Sequence, residues 1–238
     1  MDYFGEFCNA GIYVYDDCST DNTVAICKQH PAVGKVIEGK TWWQGSSRRK
    51  KAEGKLRQKV YQVALQHNPE WFFYFDADER PEFDWENFNY GKWDAVRFKL
   101  FDYYITPEDI DLLWYQRKWL GPEFRYIMMM FRNVPGIKFN CRQPRIPENS
   151  RITEAGYVRH YGKAISIEHW DRACAYYINH RFTTGILNQR WKERIGKAVH
   201  IDMLSDYGLP LIQWHEKDEK GIRLQKRIDV LRARGVEI

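Results

Sequence analysis

"WFFYFDADE", Trp71 to Glu79, sets five consecutive aromatic residues directly against three acids. The aromatic run reads as a strand buried on both faces, the pattern of a parallel sheet covered by helices. Carboxylates beside such a core are costly to bury unless something compensates them. At the C-terminal end of a parallel strand they emerge at the edge where α/β sheets bind ligands. Asp76 and Asp78, two residues apart, can point the same way and share a hard cation such as Mg2+ or Mn2+. The simpler reading is an acidic turn closed by Arg80-Pro81.

A second stretch, "IYVYDDCSTDNTVAI" from Ile12 to Ile26, repeats the plan. A short apolar strand ends in Asp16-Asp17, and Ser19 or Asp21 can cap the helix that follows. Taken alone, Asp17 and Ser19 read equally as the close of a turn or as part of a ligand site. Between the two stretches lies a further strand-like run, Val33–Ile37, and then a helical pattern in which Leu56, Val60, Val63, Ala64 and His67 recur until Asn68-Pro69 stops it. Strand and helix therefore alternate over the first hundred residues, which predicts an α/β sheet with parallel strands carrying both acidic ends. Ala95–Phe101 and Tyr126–Phe131 read as later strands. Trp170–Arg181 and Trp191–His200 read as helices, and Glu216 to Arg234 as one amphipathic helix.

A chain of 238 residues can bury a sizeable core, and 16% aromatic with 29% charged residues is a globular composition. A net charge of +5 is compatible with phosphate-bearing ligands, anionic lipid surfaces or nucleic acid and does not choose among them. The five cysteines are odd in number and form no C-x-x-C, so they read as reduced, mostly buried thiols rather than a disulfide framework or zinc site. No apolar run approaches a membrane span, and "MDYFGEFCNAG" has no signal-peptide pattern. The expectation is a soluble, cytoplasmic protein, with peripheral membrane contact left open.

"VYDDCSTDNT" followed by "FYFDADE" resembles family 2 glycosyltransferases of the GT-A fold, whose first motif reads approximately V-D-D-x-S-x-D-x-T and whose second is the D-x-D metal motif. The resemblance is closest over Ile12 to Pro81 and continues more loosely through "FRNVPGIKF" and "VRHYGKA" to about Tyr177. It implies an α/β fold with a GT-A-type, Rossmann-like mixed sheet flanked by helices and a helical C-terminal region. The nucleotide-sugar-binding core would occupy residues 1–150, and 151–238 the rest of the acceptor side of the same domain.

The implied activity is metal-dependent transfer of a sugar from a nucleoside-diphosphate sugar to an acceptor hydroxyl, inverting, on a glycan or lipid-linked acceptor of surface polysaccharide or lipopolysaccharide synthesis. The resemblance assigns Asp16, Asp17 and Ser19 to the base and ribose. It assigns Asp76 and Asp78 to Mn2+ or Mg2+, with Asp78 the direct ligand, and His160 of "VRHYG" to the metal or diphosphate. A hydrogen-bonded core or surface histidine is the equal alternative for His160. Arg57 falls where relatives carry a basic residue facing the diphosphate, and guanidinium forks suit phosphate oxygens. The basic run Arg48-Arg49-Lys50-Lys51 through Lys59 otherwise reads as a solvated helix face. Trp42-Trp43 reads as core packing, with base or sugar stacking as the alternative.

Two departures qualify the resemblance. Relatives carry a His-Glu pair after the strand that reads "IKF" here, whereas this chain has "NCRQPRIPEN". The base that an inverting transfer needs is then sought at Asp102 or Glu148. Relatives also begin one strand earlier, so the expectation is either an N-terminally short form or a gap in the sheet that another segment or a second subunit, as in a homo-oligomer, would fill. The alternative reading is a catalytically inactive nucleotide- or glycan-binding module of the same fold. A phosphatase with a related acidic strand end and a nucleic-acid binder are weaker fits: the first wants Thr or Val where Glu79-Arg80 stand, and the second lacks any recognisable motif.

Overall fold

The computed structural model describes residues 5, 7–40, 46–179 and 186–236, and at 46–52, 186–188 and 190 the backbone alone. Trp42-Trp43 and the side chains of Arg48, Arg49, Lys50 and Lys51 therefore lie outside the described residues. In chain order the elements are β1 (Ile12–Asp16), α1 (Thr23–Gln29), β2 (Val33–Glu38), α2 (Ser46–Leu65), β3 (Trp71–Phe73), β4 (Glu79–Glu82), β5 (Ala95–Tyr103) and β6 (Trp119–Arg132). There follow β7 (Lys138–Phe139), β8 (Pro144–Arg145), β9 (Ile152–His160), α3 (Ile167–Asn179), α4 (Ile186–Arg194), β10 (Ile212–Gln213), α5 (Lys217–Lys220), β11 (Ile222–Arg223) and α6 (Leu224–Ala233). The protein is mixed α/β, with a mostly open mixed sheet flanked by helices. It divides into two compact units that interleave along the sequence.

The first unit comprises Met1–Phe73, Trp85–Ala95 and Met130–Arg151. Its β1 and β2 pair in parallel, Val14 opposite Val36 and Asp16 opposite Glu38, because α1 carries the chain back between them. Asp21 accepts the Thr23 N–H at 2.9 Å and so satisfies a donor of the first turn of α1. Helix α2 packs against β1 and β7. Gly54 permits that approach, since a Cβ there would lie 2.5 Å from the Asn140 carbonyl carbon. Tyr61 of α2 meets Phe72, Phe131 and Phe139 at ring separations of 4.8 to 6.0 Å, forming the aromatic core of this unit.

Strand β3 corrects the expectation placed on Trp71–Phe75. It is three residues long, only Phe72 is buried, and it pairs antiparallel with the end of β6, Phe72 opposite Phe131. Trp71 and Phe73 are instead half-covered by edge-on rings of Phe88, Tyr90 and Trp85. Aromatic composition reports that a strand is covered; it carries no signal for the direction of the strand beside it.

The second unit comprises Tyr74–Asp84, Val96–Met129 and Ile152–Ile238. Its strands run in the order β10-β6-β5-β9-β4, with β11 also on β6. β10 pairs antiparallel and β11 parallel with β6, and β4 pairs antiparallel with β9. Phe98, Leu100, Phe101 and Ile105 are wholly buried, and Phe101, Leu120, Phe124, Tyr161, Trp170 and Cys174 join one core. Helix α3 begins earlier than its apolar pattern indicates because Ser166 caps it, accepting the His169 N–H at 3.0 Å. Helix α4 starts before the expected Trp191–His200 and ends at Arg194, so it covers only the first part of that stretch. The single C-terminal helix expected over Glu216 to Arg234 is broken at Gly221, which is extended, so that Ile222 and Arg223 pair with Glu123 and Phe124 of β6. All five cysteines are free; Cys27 and Cys174 are buried, whereas Cys141 is exposed. No described helix is long and apolar enough to cross a membrane.

Candidate functional site

The antiparallel pairing of β4 with β9 builds the site in the second unit. Glu79 stands opposite His160, and the Tyr161 N–H donates to the Asp78 carbonyl at 2.8 Å. Glu79 is fully buried and accepts the Asp76 N–H at 2.8 Å, which closes the Asp-Ala-Asp-Glu turn. This geometry brings Asp78 Oδ2 to 3.4 Å from His160 Nε2. Gly162 keeps the space beside both atoms open: a Cβ there would lie 2.6 Å from Asp78 Oδ2 and 2.9 Å from His160 Nε2. Two donor atoms at that separation suit neighbouring ligands of one cation with bonds of about 2.0–2.2 Å. Among the described residues no three His, Cys, Asp or Glu side chains gather as a ligand set by themselves. A cation carried by a diphosphate needs only one or two protein ligands, the phosphates and water completing its shell.

Behind His160 lies a chain of charges. His160 Nδ1 is 2.6 Å from Asp102 Oδ1, at the end of β5. Arg125 of β6 holds Asp102 with two hydrogen bonds of 3.1 and 3.2 Å, and Lys163 Nζ approaches its Oδ2 at 3.0 Å. Lys163 is in turn shared with Asp206 at 2.6 Å, and Arg194 reaches the same Asp206 oxygen at 2.7 Å. Burial alone would raise the Asp102 pKa, but Arg125, Lys163 and His160 hold it well below the usual carboxylate range. Burial likewise opposes charge on His160, and the hydrogen bonds to Asp102 and Asp78 outweigh it, raising its pKa to about 9. A carboxylate bonded to one ring nitrogen is also the arrangement that orients metal-binding histidines.

A cavity of about 390 Å3 opens on the same turn, lined by Ala77, Asp78, Trp114, Ile165 and His169. The Arg80 guanidinium lies over the Trp114 ring, 4.9 Å from its centroid.

The remaining candidates lie in the first unit. Asp16, buried at the end of β1, accepts the Ser19 N–H through Oδ2 at 3.0 Å. Cys18, between Asp17 and Ser19, takes a positive φ of 65° in this turn. Arg57 bonds Glu53 one turn earlier on α2 at 3.1 Å. Glu148 is exposed in the segment between β8 and β9. Of the sequence candidates, His160 is thus brought into contact with both Asp78 and Asp102, within one unit.

Arg125, Lys163, Gly162, Trp114 and His169 were not anticipated from sequence. Arg125 had a signal: a lone cation inside the apolar "FRYIMMMF" strand must find a partner. Lys163 and Gly162 flank the recognised His160. Trp114 and His169 come from separate segments and carried no signal of meeting. No protein-family model matches the chain, and no curated protein matches its sequence.

Proposed function

We propose that the protein is a metal-dependent glycosyltransferase of the GT-A type, moving a sugar from a nucleoside-diphosphate sugar to an acceptor hydroxyl. What carries the reading is the Asp78–His160 pair, 3.4 Å apart, with Gly162 leaving its ligand space open and Asp102 anchoring the far ring nitrogen. These residues fit Mn2+ or Mg2+ held jointly with the donor's diphosphate. When bound, such a cation supplies charge neutralisation to the leaving diphosphate.

The chain's own residues do the positioning. Asp78 would offer an anionic oxygen to the cation held with the donor's diphosphate. Asp102 accepts the hydrogen bond of His160 Nδ1, which turns Nε2 toward the Asp78 side. Arg125 and Lys163 keep Asp102 ionised in its buried place, so that this orientation persists across neutral pH. In the first unit, Asp16 and its Ser19 contact close the turn that the resemblance assigns to base and ribose. The acceptor class follows from the same resemblance: a glycan or lipid-linked sugar of surface polysaccharide or lipopolysaccharide synthesis, met at the inner face of a membrane.

Titration with UDP, GDP and TDP, with and without Mn2+, tests the reading. Nucleotide binding should require the cation and disappear in Asp78→Ala, and sugar-nucleotide breakdown should accompany it. Cation-dependent binding without turnover would favour an inactive nucleotide-binding module. Absence of any cation-dependent binding would remove both.

A further inference from the structure

His169 enters the cavity from the first turn of α3, where Ser166 fixes its backbone. Neither of its ring nitrogens is hydrogen-bonded to any described residue, although the ring is only partly exposed. The cavity it shares with Asp78 is of a size for a ring-shaped ligand and lies at the small end of ligand sites. Its other walls are Trp114, Ile165 and Ala77, so Asp78 and His169 are its two ionisable lining groups. An indole beside a small number of polar groups is a lining suited to a sugar ring, with its apolar face on the indole and its hydroxyls on the polar groups.

Transfer requires a group that accepts the acceptor's hydroxyl proton, within reach of the donor site. Asp102 is a poor candidate because Arg125, Lys163 and His160 occupy its carboxylate. Glu148 is not among the residues lining the cavity. His169 has the position and unoccupied nitrogens. Burial and the neighbouring Arg172 on α3 hold its pKa below the ordinary 6.5, Asp78 opposing them, so the imidazole is neutral near pH 7 and able to take a proton.

We propose that this cavity seats a sugar acceptor against Trp114 and that His169 is the general base for its attacking hydroxyl. As the acceptor oxygen bonds the donor's anomeric carbon, its proton passes to a ring nitrogen of His169. The bond from that carbon to the diphosphate breaks, and its electron pair leaves on the phosphate oxygen. This assignment rests on the donor reading of Asp78 and His160.

The test uses the full chain with Mn2+ and a panel of UDP, GDP and TDP sugars, measuring nucleotide binding and sugar release to water or to octyl β-glucoside. His169→Gln should leave the cation-dependent nucleotide Kd within about twofold, which also reports that the variant is folded. Its kcat should fall by about 10²–10⁴-fold, with loss of the acidic limb of the native pH profile. Trp114→Leu should raise KM for the glucoside with a smaller effect on kcat. Unchanged kcat and an unchanged acidic limb in His169→Gln would overturn the assignment while leaving the donor reading intact. Native protein that binds nucleotide but releases no sugar would also overturn it. Failure of native protein to bind any nucleotide with Mn2+ would overturn the donor reading and this assignment together.

Discussion

The 2.6 Å contact between His160 Nδ1 and Asp102 Oδ1 ties the recognised histidine to the end of β5. Its other ring nitrogen is thereby committed to the Asp78 side. If His160 and Asp78 hold Mn2+ as proposed, replacing Asp102 with Asn should weaken that binding about 10–100-fold. It also takes from Arg125 its paired anion, Lys163 keeping Asp206, so unfolding free energy should fall by about 1–3 kcal/mol. Calorimetric Mn2+ titration and denaturant unfolding measure the two effects separately.

Gly162→Ala separates the site from the fold. Its Cβ would collide with the ends of two side chains, Asp78 and His160, rather than with backbone. Those side chains can swing aside, so thermal stability should change little. The displaced donor atoms should cost about tenfold or more in Mn2+ affinity. Comparable losses in stability and affinity would contradict this division.

The first unit offers the opposite case. At Gly54 an added Cβ would strike the Asn140 backbone, which cannot rotate away. Gly54→Ala should therefore lower stability by about 1–3 kcal/mol, the usual cost of overpacking. Denaturant midpoints at constant slope would register it.

His160 makes stability fall at alkaline pH in the metal-free protein. Its folded pKa is raised from 6.5 to about 9. The stabilisation it contributes is fully present below pH 6.5 and is lost as pH rises through about 9. Melting temperatures of the native protein should decline across that window, and the decline should be shallower in His160→Gln.

Asp94 acts with the opposite sign. Hydrogen bonds from the Arg151 side chain and backbone lower its pKa from 3.8 to about 2. Its contribution is present above pH 3.8 and disappears as pH falls through about 2. Asp94→Asn should be less stable than native near neutrality, by a modest margin because Arg151 is half exposed, and salt should narrow the difference. Acid titrations of the two proteins should converge near pH 2.

The limits of sequence reading follow from what each signal reports. Ile12–Asp16, Val33–Glu38 and the long helix before Trp71 match their expected places, because local periodicity and an intervening helix suffice to specify them. Leu224, Ile228 and Leu231 carried the helical pattern on which Glu216–Arg234 read as one helix, yet Gly221 is extended and Ile222 and Arg223 pair with Glu123 and Phe124 of β6. Asp102 stood at a recognisable strand end. Its role could not be read there, because Arg125 lies 23 residues away and His160 a further 35.

The family resemblance singled out His160, and chain order by itself determined the α/β class and the acidic ends of β1 and of the run after β3. These depend on neighbours within a few positions, where backbone geometry makes spacing informative. Only the tertiary structure decided the antiparallel partner of β3, the ion-paired state of Asp102, and the meeting of Trp114, His169 and Asp78 around one cavity. Those depend on strand pairing and burial between segments far apart in the chain, and a carboxylate's charge and availability are set by the partners such pairing brings.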